Sequence, residues 1–402
     1  MNILFLTLSK MENMNKRGIY TDFVKEIAVQ GYNVYTVSPR ERRTDLKTEL
    51  VHNGNIHNLR VKTGNITKCN FIEKGISTLL IEWQYLFAIK KYLGNIKFDL
   101  VTYSTPPITL EKVIKYFKHK KNSLTYLILK DIFPQNAVDI NLMKKNSLLY
   151  KYFRYKEKNL YKISDYIGCM SKANEEYILK HNPFLDRTQV EIFPNAIEPI
   201  SRQKVENSNK DILEEYNIPK DKTLFIYGGN LGKPQGVDFL LKVAKNFDRV
   251  ENGFLLIVGS GTEYNRIERF LEKNNLNSVA LFSYLPKEKY DKLLLAADVG
   301  LIFLDHRFTI PNFPSRLTAY MEQAKPILAA TDINTDIGDV IEDSNSGYWT
   351  ESSDLEAFIA KANTLSTNNK LRREMGVNAR NYLEENYDIK DTINILTKHL
   401  KT

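Results

Sequence analysis

The chain has 402 residues, 43% of them apolar and 26% charged, with 57 Lys/Arg against 48 Asp/Glu. That length exceeds a single core and predicts two domains of about 150–200 residues, while the lack of any run of about 18 apolar residues excludes a membrane-spanning helix. Two cysteines, Cys69 and Cys169, and six dispersed histidines give no metal-ligand spacing, so the expectation is a reducing cytoplasm, no metal and no cofactor.

Taken in order, the chain opens with MNILFLTLSK, which lacks a basic segment before its short apolar run. It reads as a strand over 2–8 rather than a signal peptide. A polar loop, Gly18 and a helix to about 30 follow, then a strand over 33–38. Gly18 therefore lies beyond the carboxyl end of the first strand, where open α/β sheets bind ligands. Further strands are predicted over 55–61, 99–103, 124–130, 166–170 and 189–193, and helices over 74–94 (amphipathic), 109–118, 147–161 and 172–181. Regular alternation of strands and helices predicts a mostly parallel sheet. Asp131 follows the strand over 124–130. A carboxylate there suits binding or catalysis, or else it caps the turn before Pro134.

The chain turns polar after Ile200, most of all over 201–210, and the interdomain linker is placed there. The alternation then resumes, with strands over 223–228, 254–258, 279–284, 299–304 and 326–330 and a polar helical end, clearest over 371–382. The domains read as 1–199 and 200–378, with a helical segment over 379–402 returning to the first. Two strand–glycine–helix units stand out: Leu224–Phe239, holding Gly228, Gly229, Gly232 and Gly236, and Phe254–Gly261, holding Gly259 and Gly261. Such turns aim backbone N–H groups and a helix N-terminus at an anion, or serve turn geometry alone. Ser315 reads as the N-cap of a helix with Leu317, Tyr320 and Met321 inward. A plain cap does not explain Arg316, whose charge opposes the helix macrodipole in the first turn; facing a diphosphate would explain it.

The order of these motifs resembles a family 4 glycosyltransferase of the GT-B fold, two doubly wound Rossmann-like domains facing each other across a cleft. The resemblance covers essentially the whole chain. It rests on Gly18, Ser171, Pro194-Asn195, Gly229-Asn230-Leu231-Gly232 with Gln235-Gly236, Val258-Gly259-Ser260-Gly261, Ala297-Asp298-Val299, Pro314-Ser315-Arg316-Leu317 with Tyr320-Met321, and Lys325-Pro326. Asp131 with Pro134 and the run GGNLGKPQG is most similar to the branch that adds amino- or deoxysugars to bacterial O-antigen and capsular units. Where most of the family carries an Arg and a Lys in the donor loop, this chain has Asn230 and Gln235, leaving Lys233 as the local cation. The family's paired glutamates fall on Pro311 and Ala319; Glu322, one helical turn on, is the substitute expected for the second.

What the resemblance implies is a retaining transferase without metal. It would bind a nucleotide-sugar, UDP-linked by preference, in the C-terminal domain through Gly229, Asn230, Lys233, Gln235, Gly259, Gly261, Ser315, Arg316, Leu317 and Glu322, with Gly18 of the N-terminal domain a further donor contact. Asp131 would contact the acceptor or the transferred sugar, and the acceptor would be a glycan or an undecaprenyl-diphosphate-linked glycan. Rival readings are a nucleotide-sugar epimerase of the same architecture and a non-catalytic partner subunit.

Charge adds a reading that needs no family. Residues 1–200 hold 31 Lys/Arg against 19 Asp/Glu, and residues 201–402 hold 26 against 29. Lys151, Arg154, Lys158 and Lys162 form one helical stripe beside Leu148, Leu149, Tyr152, Phe153 and Tyr155. The stripe is a solvated helix face, or it docks the N-terminal domain on the anionic inner face of the plasma membrane. No recognised motif supports nucleic acid as the partner.

Overall fold

The computed structural model describes residues 1–67, 69, 71–206 and 210–400. The chain divides into two compact units, Met1–Glu198 with Ile389–Thr402, and Pro199–Asp388. Residues 207–209 of the expected linker lie outside the described residues.

In the first unit the strands are β1 (Asn2–Leu6), β2 (Asn33–Glu41), β3 (Glu49–Asn53), β4 (Ile56–Thr63), β5 (Leu100–Ser104), β6 (Leu124–Leu129), β7 (Tyr166–Cys169) and β8 (Val190–Ile192). Among the described residues they form one sheet in the order β3-β4-β2-β1-β5-β6-β7-β8. All pairs are parallel except β3 with β4, which is antiparallel. Strands such as β1 and β5 are short apolar runs buried along nearly their whole length, as a sheet covered on both faces requires. The order reverses between β1 and β5.

The second unit holds β9 (Thr223–Asn230), β10 (Gly253–Ser260), β11 (Val279–Phe282), β12 (Val299–Phe303), β13 (Ile327–Thr331) and β14 (Gly347–Glu351). Their order is β11-β10-β9-β12-β13-β14, all parallel. This is the doubly wound order whose switch point lies between its first and fourth strands. Its core is aromatic at the centre: Phe303 of β12 lies 6.1 Å from Phe239 and 5.5 Å from Phe358, ring to ring.

Sequence patterning had offered no strand at β3 or β14. The first is an exposed edge hairpin strand, and the second is polar at its end and closes the far edge of its sheet. Neither has the apolar run by which covered strands are recognised. The chain re-enters the first unit at Ile389 rather than at 379. Helix Asn369–Asn386 belongs to the second unit because Arg380, buried in it, donates to the backbone carbonyls of Glu322 and Ile200. The following helix, Ile389–Thr397, packs on helix Ile19–Val29 of the first unit. The helix expected to be amphipathic over 74–94 runs Phe71–Leu93 and is apolar on its solvent side as well.

The aromatic centre sets an expected outcome. Phe303→Ala should cost about 3–5 kcal/mol of stability in the second unit. Chemical denaturation of the full chain checks it, and a loss under about 1 kcal/mol would show that the site repacks.

Candidate active site

In the second unit, the loops after β9 and β12 leave neighbouring strands at the switch point and meet there. Asp305 N–H donates to the Pro234 carbonyl at 3.1 Å. Gly236, at φ 57°, sits so close to β12's exit that a Cβ would come within 2.8 Å of the Leu304 carbonyl oxygen. Left-handed backbone and close approach together require glycine.

Arg316 reaches into this junction from the first turn of helix Arg316–Glu322. Its guanidinium lies 4.4 Å from the centroid of the Tyr227 ring, and Nη2 donates to Gln235 Oε1 at 2.7 Å. It also lies against Gly229, where φ is 138° and a Cβ would come within 3.2 Å of Nη2. Nη1 is buried and has no hydrogen-bond partner among the described residues. The Tyr227 hydroxyl donates to the Asn230 carbonyl at 2.7 Å and Gln235 Oε1 at 3.3 Å. The Tyr320 hydroxyl accepts the Gly228 N–H at 3.4 Å and donates to the Leu301 carbonyl at 2.9 Å. The site thus holds one cation on a phenol face with a spare N–H, an arrangement suited to an anion with several oxygens. Sequence reading found Arg316 and Gln235. It does not single out Tyr227, an ordinary position of an apolar strand, and it reads Tyr320 as an inward-facing helix residue without giving it a place in the site.

The other expected donor residues separate. Lys233 and Asn230 are exposed beside this junction. Ser315 is also exposed, but its side chain makes no cap bond: its backbone is helical (φ −63°, ψ −14°), whereas capping needs an extended residue. Leu317 is wholly buried and packs in the core. Glu322 is buried at the far end of the helix, and its carboxylate accepts the Ile200 N–H at 3.0 Å. Gly259 and Gly261 act as spacers, because Cβ atoms there would meet the Gly229 and Leu231 carbonyl oxygens at 1.9 and 2.3 Å. Leu231 N–H bonds Ser260 O and Glu263 N–H bonds Leu231 O, both at 2.9 Å.

In the first unit, Gly18 precedes helix Ile19–Val29 in extended backbone that any residue adopts (φ 169°). Its N–H donates to Asp22 Oδ1 at 3.3 Å. Asp131 follows β6, and Thr105 Oγ1, beyond β5, ties that turn by accepting the N–H groups of Lys130 (3.0 Å) and Asp131 (3.3 Å). Lys130 was not singled out from sequence, since lysine at a strand end is ordinarily solvated. Here its Nζ bonds Asn195 Oδ1 and lies 5.0 Å from the Tyr20 ring centroid. Burial pushes the Asp131 carboxyl up to about 6 despite the Lys130 cation, and pushes the Lys130 ammonium down to about 7 despite Asp131. A carboxyl poised near neutrality can bind a hydroxyl or exchange a proton with it.

The expected basic stripe is only partly a free surface. Arg154 pairs with Glu157 and donates to the His181 carbonyl (3.0 Å) and Asn182 Oδ1 (2.8 Å). Lys162 Nζ lies 5.0 Å from the Phe184 ring centroid. Lys151 and Lys158 are exposed.

Two doubly wound units, the second with an anion-ready arginine at its switch point, make the architecture of GT-B glycosyltransferases. Residues 208–382, which fall within the second unit, match the family described as Glycosyl transferases group 1. The probable glycosyltransferase WbjE of Pseudomonas aeruginosa is 24% identical over 266 residues, 66% of this chain and 65% of that protein. The putative colanic acid biosynthesis glycosyl transferase WcaI of Escherichia coli is 26% identical over 215 residues, 52% of this chain and 50% of that protein. The chain thus spans just under two thirds of the first relative and half of the second. The crystal structure of Anabaena HepE in complex with UDP superposes with a TM-score of 0.69 at 13% identity, covering all of both chains. At that identity it shows the shared fold.

The Lys130–Asp131 pair yields a pH expectation. The Asp131 carboxyl, labelled with 13C, should titrate near pH 6, and Lys130→Met should move the titration higher, because the lost cation had favoured the carboxylate. Titration at the ordinary value of about 3.9 would contradict the burial argument.

Proposed function

We propose that the chain is a retaining glycosyltransferase that moves a sugar from a UDP-sugar to a glycan or lipid-diphosphate-linked acceptor in cell-surface polysaccharide synthesis. The observation that carries the reading is Arg316, held over Tyr227 at the switch point of the family-matched unit with a buried, unpartnered Nη1. The UDP in the HepE complex and the colanic acid pathway in WcaI's name support the nucleotide and the product class in this reading.

In the reaction, the bond from the anomeric carbon to the diphosphate oxygen breaks, and its electron pair leaves with the diphosphate. The acceptor oxygen bonds that carbon from the same face, and its proton passes to the departing oxygen. Arg316 and Lys233 stabilise the charge that builds on the diphosphate. Asp131, in the first unit, orients the acceptor or the transferred sugar through a hydroxyl. No metal takes part in this reading, and turnover should persist in EDTA. The enzyme works peripherally at the inner face of the plasma membrane. In the described residues no helix is long and apolar enough to cross it.

Arg316→Ala should weaken UDP binding by about 1.5–3 kcal/mol, the worth of a charge-assisted contact, while Arg316→Lys recovers part of the loss. Unchanged affinity in the alanine variant would remove the donor site from this junction. For Asp131→Asn, UDP affinity should stay near wild type while turnover falls roughly 10²-fold, about 2.7 kcal/mol. Radiolabelled donor tells the rivals apart. Label reaching an acceptor supports the transferase; label returning on an epimeric nucleotide-sugar makes an epimerase. Failure to bind any nucleotide-sugar would leave a non-catalytic partner subunit.

A further inference from the structure

We propose that the solvent-facing side of helix Phe71–Leu93 is a membrane-insertion surface that seats in the headgroup–acyl boundary of an anionic bilayer. The inference rests on the peripheral reading above and gives it different residues from the basic stripe. Soluble-protein helices expose one polar face. This one buries Ile81, Tyr85, Leu86 and Ile89, yet its opposite side is also apolar. Ile76, Leu79, Leu80, Trp83 and Phe87 recur every three or four residues and stand between 42% (Trp83) and 63% (Phe87) exposed. Scattered exposed apolar residues need no explanation, but five on one helical stripe mark an interaction surface.

Charge identifies the occupant. The helix carries two carboxylates. Glu73, in the first turn, is engaged with Arg42 and Asn65, and Glu82 is buried, accepting the Lys112 N–H at 2.6 Å. Beyond Glu73 the exposed stripe therefore presents no acid, and it ends at exposed Lys90 and Lys91. Lys112 Nζ lies 3.8 Å from the Trp83 ring centroid, and Trp83 stacks on Phe87 at 6.1 Å. The neighbouring Glu111 ties Lys156 of helix Leu148–Ile163 at 3.1 Å. That helix adds Leu148, 87% exposed, and the exposed Lys151 and Lys158. Tryptophan and phenylalanine rimmed by lysines is the chemistry of an interfacial helix on anionic lipid. A second copy of the same face would set lysine against lysine.

The test is vesicle sedimentation of the full chain on phosphatidylcholine with and without phosphatidylglycerol, with tryptophan fluorescence read alongside. The chain has two tryptophans, Trp83 and Trp349, so comparison with Trp83→Phe isolates the reporter. Binding should grow with phosphatidylglycerol, and wild-type emission should shift to the blue while that of Trp83→Phe does not. The double variant Leu80→Glu, Phe87→Glu should partition about tenfold or more weakly even at low salt, with unchanged melting temperature, since both side chains are exposed. Vesicle binding that survives the double variant but is lost on Lys151→Glu with Lys158→Glu would overturn this inference and keep the peripheral reading, with charge alone as the dock. Absence of binding to every vesicle would overturn both. A concentration-dependent dimer abolished by the double variant without lipid would assign the face to a second copy instead.

Discussion

Arg316 is held in an orientation that several other features exist to permit. A guanidinium in the first turn of a helix is repelled by the macrodipole and costs desolvation. It stays because the Tyr227 ring lies against its plane, Gln235 accepts one N–H, and Gly229 removes the Cβ that would fill its place. Those partners come from β9 and its loop, and the strand order brings β9 beside β12, whose exit leads to the helix. The cation is thereby positioned before any ligand arrives, which is how electrostatic stabilisation avoids reorganisation cost.

The glycines of that region divide the work. Gly229 and Gly236 supply positive φ in the loop itself. Gly259 and Gly261, on the neighbouring strand and turn, let the loop cross within van der Waals distance of their backbone. A glycine-rich pattern that reads as two anion cradles is one loop and the floor beneath it.

The first unit handles charge in the opposite way. Lys130 and Asp131 are adjacent in sequence, both half-buried, and each is pushed towards its neutral form by burial while the other resists that shift. Thr105 and Asn195, from the ends of two other strands, fix the pair. Elsewhere on this unit, lysines and outward-facing aromatic residues share the exposed sides of helices Phe71–Leu93 and Leu148–Ile163. One unit thus carries both a half-buried acid–base pair shifted towards neutrality and a cationic, apolar surface.

Sequence alone determined the two α/β units, because short apolar runs alternating with helical periodicity allow little else, and it picked out Arg316, Gln235 and Asp131 by residue type and place. It could not separate a glycine that shapes a loop from one that underlies it, as at Gly261, since both obey the same turn pattern. Ser315 reads as a cap from its type, yet its helical backbone gives no cap bond; Glu322 has the right charge, and folding gives it to Ile200. Only the tertiary structure put Tyr227 under Arg316 and Lys130 beside Asn195, contacts across 65 or more positions of chain. The same holds for the outward side of helix Phe71–Leu93. Periodicity reports that a helix has an apolar stripe, but which stripe meets the sheet and which meets solvent depends on the packing of strands and helices distant in sequence.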